Sequence, residues 1–392
     1  MKVLHLITGL EVGGAEMMLL NLLRQPSFAR ETHRVISLTS LGAIGPRILD
    51  LGIDVIALGM EPGKPQTRGL MLLIRLIRED PPDLIQSWMY HADLLGAMAT
   101  LGCGNIPIIW GIHHTLDGEV PVQKSTMRVI KLNALLSRWI PKIIVCCAES
   151  ARTAHLRAGY YPSKLNVIPN GIDINEFSPD PVAYEALRTE LGLDRSTPLI
   201  GLFARFHPQK DHRTFIQAAG ILRKAIPEVH YVLAGAGVLP ENHELMNWIH
   251  EADIQDSTHL LGLRLDMSRL LSAVDIAGLS SAFGEALPLS VAEAMACGVP
   301  CVVTDIGDSA LLVGNTGKIV PPHSPEALAK AWLEILALPT DAKIALGSQA
   351  RAKIALEYNI KLAEERYLSL YRSIRVNGDN HGIKNPSQDS SL

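Results

Sequence analysis

Aromatic residues make up only 5% of this chain, so its cores must be filled by aliphatic and small side chains. Cysteines are few and odd in number: Cys103, Cys146, Cys147, Cys297 and Cys301. All sit in or beside apolar runs, and none forms a CxxC pair of the metal-binding type. That pattern excludes a disulfide framework and predicts reduced, buried thiols in a cytoplasmic protein. A basic field is also missing. The formal net charge is −4 and the isoelectric point lies near 6.4, which argues against a nucleic-acid partner. No charge-free apolar run reaches the ~20 residues that cross a bilayer. The opening MKVLHLITGLEVGG meets glycines before an apolar signal core could complete, so no secretion signal is expected. The chain therefore reads as soluble, or at most attached to a membrane surface.

What is present is alternation. With 392 residues the chain is too long for one ordinary core, and two domains are expected. In the first half, short apolar strands are expected at 3–7, 34–38, 54–58, from 83, at 107–112, 142–147 and 165–168, with helices at 15–23, 69–78, 91–101 and from 150. The segment Phe177-Ser178-Pro179-Asp180-Pro181 has two prolines and no periodicity, and reads as a linker and hinge. Strands follow at 199–204, 230–234, 258–261, 274–279 and 301–304, with helices at 214–224 and 325–336. The pattern is helical over 341–375, and the polar residues beyond it read as disordered. Such alternation builds parallel sheets with helices on both faces. The expected fold class is α/β, with two Rossmann-like doubly wound domains, 1–178 and 179–355, facing across a cleft. A helix over 356–375 is expected to return to the first domain, leaving 376–392 as a tail.

Open parallel sheets bind ligands at the carboxyl ends of their strands, and the residues able to do chemistry fall there. Gly9, Gly13 and Gly14 follow the first strand. They would let a ligand approach the backbone, although their spacing falls short of GxGxxG. His113 and His114 follow another strand. Arg205 and Lys210 share a loop after a third, and an arginine fork with a lysine point charge suits a diphosphate. In a generic loop those charges would simply pair with Asp211.

The stretch from Ser281 to Asp305 reads as loop, helix, turn and buried strand. Pro288 is expected in the first helical turn, where its missing N–H is no loss, and Gly298 and Pro300 stop the helix. Glu285 sits in the loop. Glu293 sits inside an otherwise apolar helix, where an acid is not expected to be fully buried without a partner. The open helix N-terminus suits a phosphate, and the two carboxylates suit sugar hydroxyls.

Together these residues resemble a known family. Gly13-Gly14-Ala15-Glu16, His114 after its strand, Asn170-Gly171-Ile172-Asp173 before the linker, Arg205 with Lys210, and Glu285 with Glu293 followed by Ala-Met-Ala-Cys-Gly-Val-Pro are similar to the family 4 (group 1) glycosyltransferases of the GT-B fold. The resemblance runs from the first strand to residue 375. It implies a retaining enzyme with His114, Glu285, Arg205 and Lys210 as the catalytic set. Arg205 and Lys210 would hold the donor diphosphate, Glu293 the donor ribose, and Glu285 the hydroxyls of the transferred sugar. Backbone N–H groups of Ala286, Leu287 and Leu289 would face the sugar and phosphate, with Gly13 and Gly14 closing on the diphosphate from the other domain. His114 would lie near the reacting carbon, and His113 would be a loop histidine bonded to backbone. Ala204 before Arg205, and Gly307-Asp308 in place of a frequent Gly-Gly, depart from the family pattern and bear on the donor.

The same resemblance implies a nucleotide-diphosphate sugar as donor and no cofactor or metal. It implies a glycan or lipid-linked acceptor in polysaccharide or glycoconjugate synthesis. The loop 42–64 and the region after Thr115 are expected to shape the acceptor side. Lys124, Arg128, Lys131, Arg138 and Lys142, interleaved with Ile130, Leu132, Leu135, Leu136 and Trp139, form a basic amphipathic stripe. That stripe is either a solvated outer face or a peripheral contact with the inner face of a membrane. Alternative readings are a nucleotide-sugar epimerase or phosphorylase-like enzyme on the same fold, and a non-catalytic nucleotide-sugar-binding protein.

Overall fold

The computed structural model describes residues 1–61, 67–104, 106–116 and 123–379, with side chains to 374. The apolar runs of the first half become β1 (Lys2–Ile7), β2 (Thr32–Ser37), β3 (Asp54–Ala57), β4 (Leu84–Trp88), β5 (Ile108–Ile112), β6 (Ile143–Cys146) and β7 (Leu165–Val167). They form one parallel sheet in the order β3-β2-β1-β4-β5-β6-β7. The second half supplies β8 (Leu199–Phe203), β9 (His230–Ala234), β10 (Thr258–Leu260), β11 (Ile276–Leu279), β12 (Cys301–Thr304) and β13 (Lys318–Val320), in the order β10-β9-β8-β11-β12-β13. The order reverses between β1 and β4 in one sheet and between β8 and β11 in the other, and such switch points open a crevice for ligands. The strands beside them, β4, β5, β8, β11 and β12, are buried along their whole length, as two-sided helical cover requires.

Three segments differ from expectation. Residues read as linker begin a helix, Pro181–Glu190: Asp180 caps it by accepting from Val182 N and Ala183 N at 2.9 and 3.1 Å, and Pro181 takes its first position. Strand β13 is a three-residue edge strand with Lys318 and Ile319 exposed, too short and too polar to show a pattern. The last helix, Ile360–Asp379, passes the expected stop at Arg375. The rest of the expected tail, 380–392, lies outside the described residues, as do 62–64 of the expected acceptor loop and the residues 117–122 after Thr115.

The chain crosses between domains twice, side by side. Ile172 N donates to Tyr358 O at 2.7 Å and Ile360 N donates to Ile172 O at 2.9 Å. Gly171 permits this closeness, since a Cβ there would lie 2.5 Å from Ile360 Cα. Arg351 braces the outgoing segment by donating to Phe177 O at 2.9 Å and Ile174 O at 3.0 Å. The final helix then packs into the first domain, where Tyr367 stacks on Trp88, Tyr371 meets Phe28, and Glu364 accepts from Phe28 N at 2.9 Å.

Candidate active site

The carboxyl ends of both sheets face each other. Gly14 opens the helix Gly14–Leu23, and a Cβ on it would lie 3.8 Å from Leu289 Cδ1 of the other domain. Gly13 caps that helix with extended backbone, and a Cβ there would meet the Glu16 carboxylate at 2.4 Å. The glycine pair and the start of the helix Leu289–Ala296 are thus opposite walls of one cleft.

The loop between β11 and that helix is braced from both neighbouring strands. Gln209, after β8, donates from Nε2 to Gly284 O at 2.9 Å and accepts at its own carbonyl from Ala282 N at 2.9 Å. After β12, Asp308 N donates to Ala286 O at 2.9 Å. Gly307, at φ +59°, lies so near that a Cβ would fall 1.8 Å from Glu285 O. Glu285 is the loop's central side chain. It is 5% exposed, and its Oε1 accepts from Lys210 Nζ and, at 2.6 Å, from Ser281 Oγ. Pro288 stands at the cap, one residue earlier than expected, and Gly298 closes the helix at φ +76°. Among the described residues, the N–H groups of Ala286, Leu287 and Leu289 donate to no acceptor. They are the unpaired donors that every helix start leaves, with those of the loop before it.

Lys210 does not pair with Asp211, which instead caps the helix His212–Ala225 by accepting from Thr214 N and Thr214 Oγ1 at 3.1 and 2.7 Å. Arg205 is exposed and forms no ion pair among the described residues. Two groups of the first domain feel its charge. Burial pushes the Glu16 carboxyl up to about 7, with Glu11 adding to the rise and Arg205 opposing it. Burial likewise lowers the His114 imidazole, against the pull of Glu285 and with Arg205 adding to the fall. His114 is therefore neutral at pH 7, half-buried, with an unbonded Nδ1.

His113 departs from expectation. Among the described residues its ring nitrogens bond to no backbone group; the ring stacks on Trp88, centroids 5.1 Å apart, and its side chain interacts with Asn170. Burial holds it at about 4. Glu293 also differs from its partner acid. It is half-buried, its carboxylate has no hydrogen bond among the described residues, and burial followed by the nearby Glu176 pushes its carboxyl up to about 8. The acids are thus unlike: Glu285 is pinned beside Lys210, whereas Glu293 is unpartnered and faces the crossover.

Ser281, Gln209 and Asp308 were not singled out as site residues by sequence reasoning. A sequence signal existed for Ser281, because Ser280-Ser281 interrupts an apolar strand end, and for Asp308, which with Gly307 departs from the family pattern. The basic stripe divides at the end of its helix, Lys124–Leu136. Ile130 faces the core, while Leu132, Leu135 and Trp139 are exposed, Trp139 at 71%. Arg138, Trp139 and Lys142 lie past the helix rather than along it. No helix among the described residues is long and apolar enough to cross a membrane.

Comparison with known proteins covers both domains. Residues 12–176 match glycosyltransferase family 4, and 197–337 match the glycosyl transferases group 1. The chain is 26% identical to the UDP-Gal:alpha-D-GlcNAc-diphosphoundecaprenol alpha-1,3-galactosyltransferase of Escherichia coli, over 79% of this chain and 80% of that one. It is 26% identical to the alpha-maltose-1-phosphate synthase of Mycolicibacterium smegmatis, over 74% and 79%. The fold resembles that of Anabaena Alr3699/HepE in complex with UDP and glucose, with a TM-score of 0.84, 24% identity, and coverage of 95% of this chain and 100% of that one. It also resembles sucrose-phosphate synthase from Thermosynechococcus elongatus, with a TM-score of 0.79, 19% identity, and coverage of 96% and 100%. On both its sequence and its two facing parallel-sheet domains, the chain belongs to the family 4, group 1 glycosyltransferases of the GT-B fold.

Proposed function

We propose that this enzyme transfers a sugar, with retention at its anomeric carbon, from a nucleotide-diphosphate donor to a hydroxyl of a lipid-linked or glycan acceptor, and that it does so without a metal. The observation that carries this reading is Glu285 held by Lys210 and Ser281 beside the unpaired N–H groups of Ala286, Leu287 and Leu289. That is a fixed carboxylate for sugar hydroxyls beside an electropositive seat for phosphate.

The chemistry follows from where charge develops. Breaking the bond between sugar and phosphate leaves an oxocarbenium-like ring and a more highly charged diphosphate. Arg205, Lys210 and the helix-start N–H groups stabilise that diphosphate. The departing phosphate oxygen takes the proton of the acceptor hydroxyl, and the new bond forms on the face the phosphate leaves. No strong protein base is needed there, which suits a neutral His114 acting as a hydrogen-bonding group beside the ring. Glu293 supplies an acceptor for ribose hydroxyls, and Gly14 lets the opposite domain close on the diphosphate.

Support for a lipid-linked acceptor comes from two sides. The Escherichia coli relative is named for a diphosphoundecaprenol-linked substrate. The exposed Leu132, Leu135 and Trp139 beside Lys124, Arg128 and Lys131 form a surface suited to an anionic bilayer.

Thermal stabilisation against UDP-, GDP- and ADP-sugars, wild type beside Lys210→Ala, tests the donor half. A ligand that binds the folded state raises Tm by mass action. A rise with one nucleotide class that is lost in the variant is expected. No rise with any class, together with no acceptor-free hydrolysis, overturns the reading.

A further inference from the structure

The helix Glu149–Arg157, which follows β6, has no cap of its own. Ala148 holds the cap position in extended conformation, φ −158° and ψ 155°, without a side-chain acceptor. A carboxylate from the other domain takes that place. Asp308 Oδ2 accepts from Glu149 N at 2.8 Å and Oδ1 accepts from Ser150 N at 2.8 Å. The residue is 7% exposed, and its charge faces the positive end of the helix. Its presence is felt deeper in the first domain, where burial and then Asp308 push the Cys147 thiol up to about 12.

The backbone of Asp308 meanwhile belongs to the brace of the donor loop. Its N–H holds Ala286 O, and Gly307 beside it lies against Glu285 O. One residue therefore joins the loop that positions Glu285 to a helix of the opposite domain. Opening of the cleft about the paired crossover at Ile172 and Tyr358–Ile360 would break both bonds. It would strip two N–H groups from a helix start and free the carboxylate at once.

We propose that Asp308 is a closure latch, a positioning residue through which the first domain holds the donor loop in its working geometry. The cap is missing locally so that closure can supply it. Closed, the latch brings His114 to Glu285 and excludes water, so that the sugar passes to the acceptor rather than to solvent. The kinetic part rests on the donor-site reading above; the shape of the protein does not.

Three proteins test it: Asp308→Ala, Ala148→Ser, and the two combined. Small-angle scattering is recorded without ligand and with UDP, GDP or ADP, and acceptor-free hydrolysis is measured against transfer. Asp308→Ala is expected to enlarge the radius of gyration without ligand, as the closed-to-open ratio falls about tenfold, the ordinary worth of a cap. Donor KM is expected to rise by a similar factor, and hydrolysis to gain on transfer. Ala148→Ser gives the helix a local cap, so the double variant should recover thermal stability while remaining open and leaky. If the double variant instead recovers scattering and kinetics along with stability, Asp308 is only a structural cap and the proposal falls. Wild-type scattering in Asp308→Ala also overturns it. Should that variant fail to fold, Asp308→Asn, which keeps one acceptor oxygen, is expected to shift both readouts partway, and wild-type values there overturn it. Failure of every nucleotide to bind would sink the donor reading and leave the scattering result standing.

Discussion

Lys210 and Glu285 are two ends of one interaction, and removing them singly and together measures it. The lysine side chain is 17% exposed and the glutamate 6%. Leaving a buried charge without its partner costs about 3–5 kcal/mol in a fully buried pair. Lys210 retains some solvent, so Lys210→Ala is expected to cost about 2–3 kcal/mol, most of it the stranded Glu285 carboxylate. Glu285→Gln keeps an acceptor for Ser281 Oγ and leaves Lys210 free to reach water, so it should cost only about 1 kcal/mol. In the double variant no charge is stranded, and its loss should fall short of the sum by about 1–2 kcal/mol. Urea unfolding of the four proteins gives the cycle directly. Transfer rates complete it: each single variant is expected to lose about 10²–10³ in kcat, the worth of one charge-stabilising group. The double variant should be little worse than either, because the groups act as a unit. Additive losses of stability would refute the coupling, and unchanged kcat in either single variant would refute the placing of the reaction beside this pair.

Burial holds the Glu293 carboxyl near 8 instead of the usual 4.5. The folded protein therefore keeps a proton that the unfolded chain releases, and stability falls as pH rises from 4.5 to 8. Glu293→Gln removes that loss; after discounting for the solvent reaching a half-buried group, urea unfolding should show a gain of about 1–2 kcal/mol at pH 8 and none at pH 4.5. A gain of equal size at both pH values would contradict it. Gly307→Ala combines a left-handed backbone at φ +59° with a Cβ 1.8 Å from Glu285 O; it is expected to cost about 1–3 kcal/mol and to weaken nucleotide binding in calorimetry while the far-UV spectrum stays native. His114→Ala is expected to lower kcat by about 10²-fold with nucleotide affinity retained, and a loss of affinity alone would move His114 out of the reacting region. Replacing Leu135 and Trp139 by serine and neutralising Lys124, Arg128 and Lys131 should abolish co-sedimentation with anionic vesicles; unchanged co-sedimentation would remove the membrane from the proposed function.

How much of this was legible depended on whether the cause was local. Strands β5, β8 and β12 are buried on both faces, so they appear in the sequence as apolar runs between breakers. Glu285 was legible as an acid before a helix that ends in Gly298. Proline misled at 179–181, because the same residue ends a periodic segment and opens a helix, and only the cap geometry of Asp180 decides between them. His113 misled because its partner, Trp88, comes from another strand. The Asp308 carboxylate acts on atoms about 160 residues away in the chain, through contacts that exist only once both sheets are assembled. Such contacts carry no spacing that a reader of the sequence could find.

The return of the final helix to the first domain has a consequence for biosynthesis. Trp88 and Phe28, against which Tyr367 and Tyr371 pack, leave the ribosome more than 270 residues before those tyrosines do. During that interval the second domain, lying wholly between the two crossovers, can complete its own sheet, while the first must wait with an aromatic patch uncovered. At ~5–20 residues per second the wait is tens of seconds at the slower end. The earlier-made half of the molecule is thus the later to finish, and a nascent chain stalled before Ile360 would expose the surface that chaperones bind.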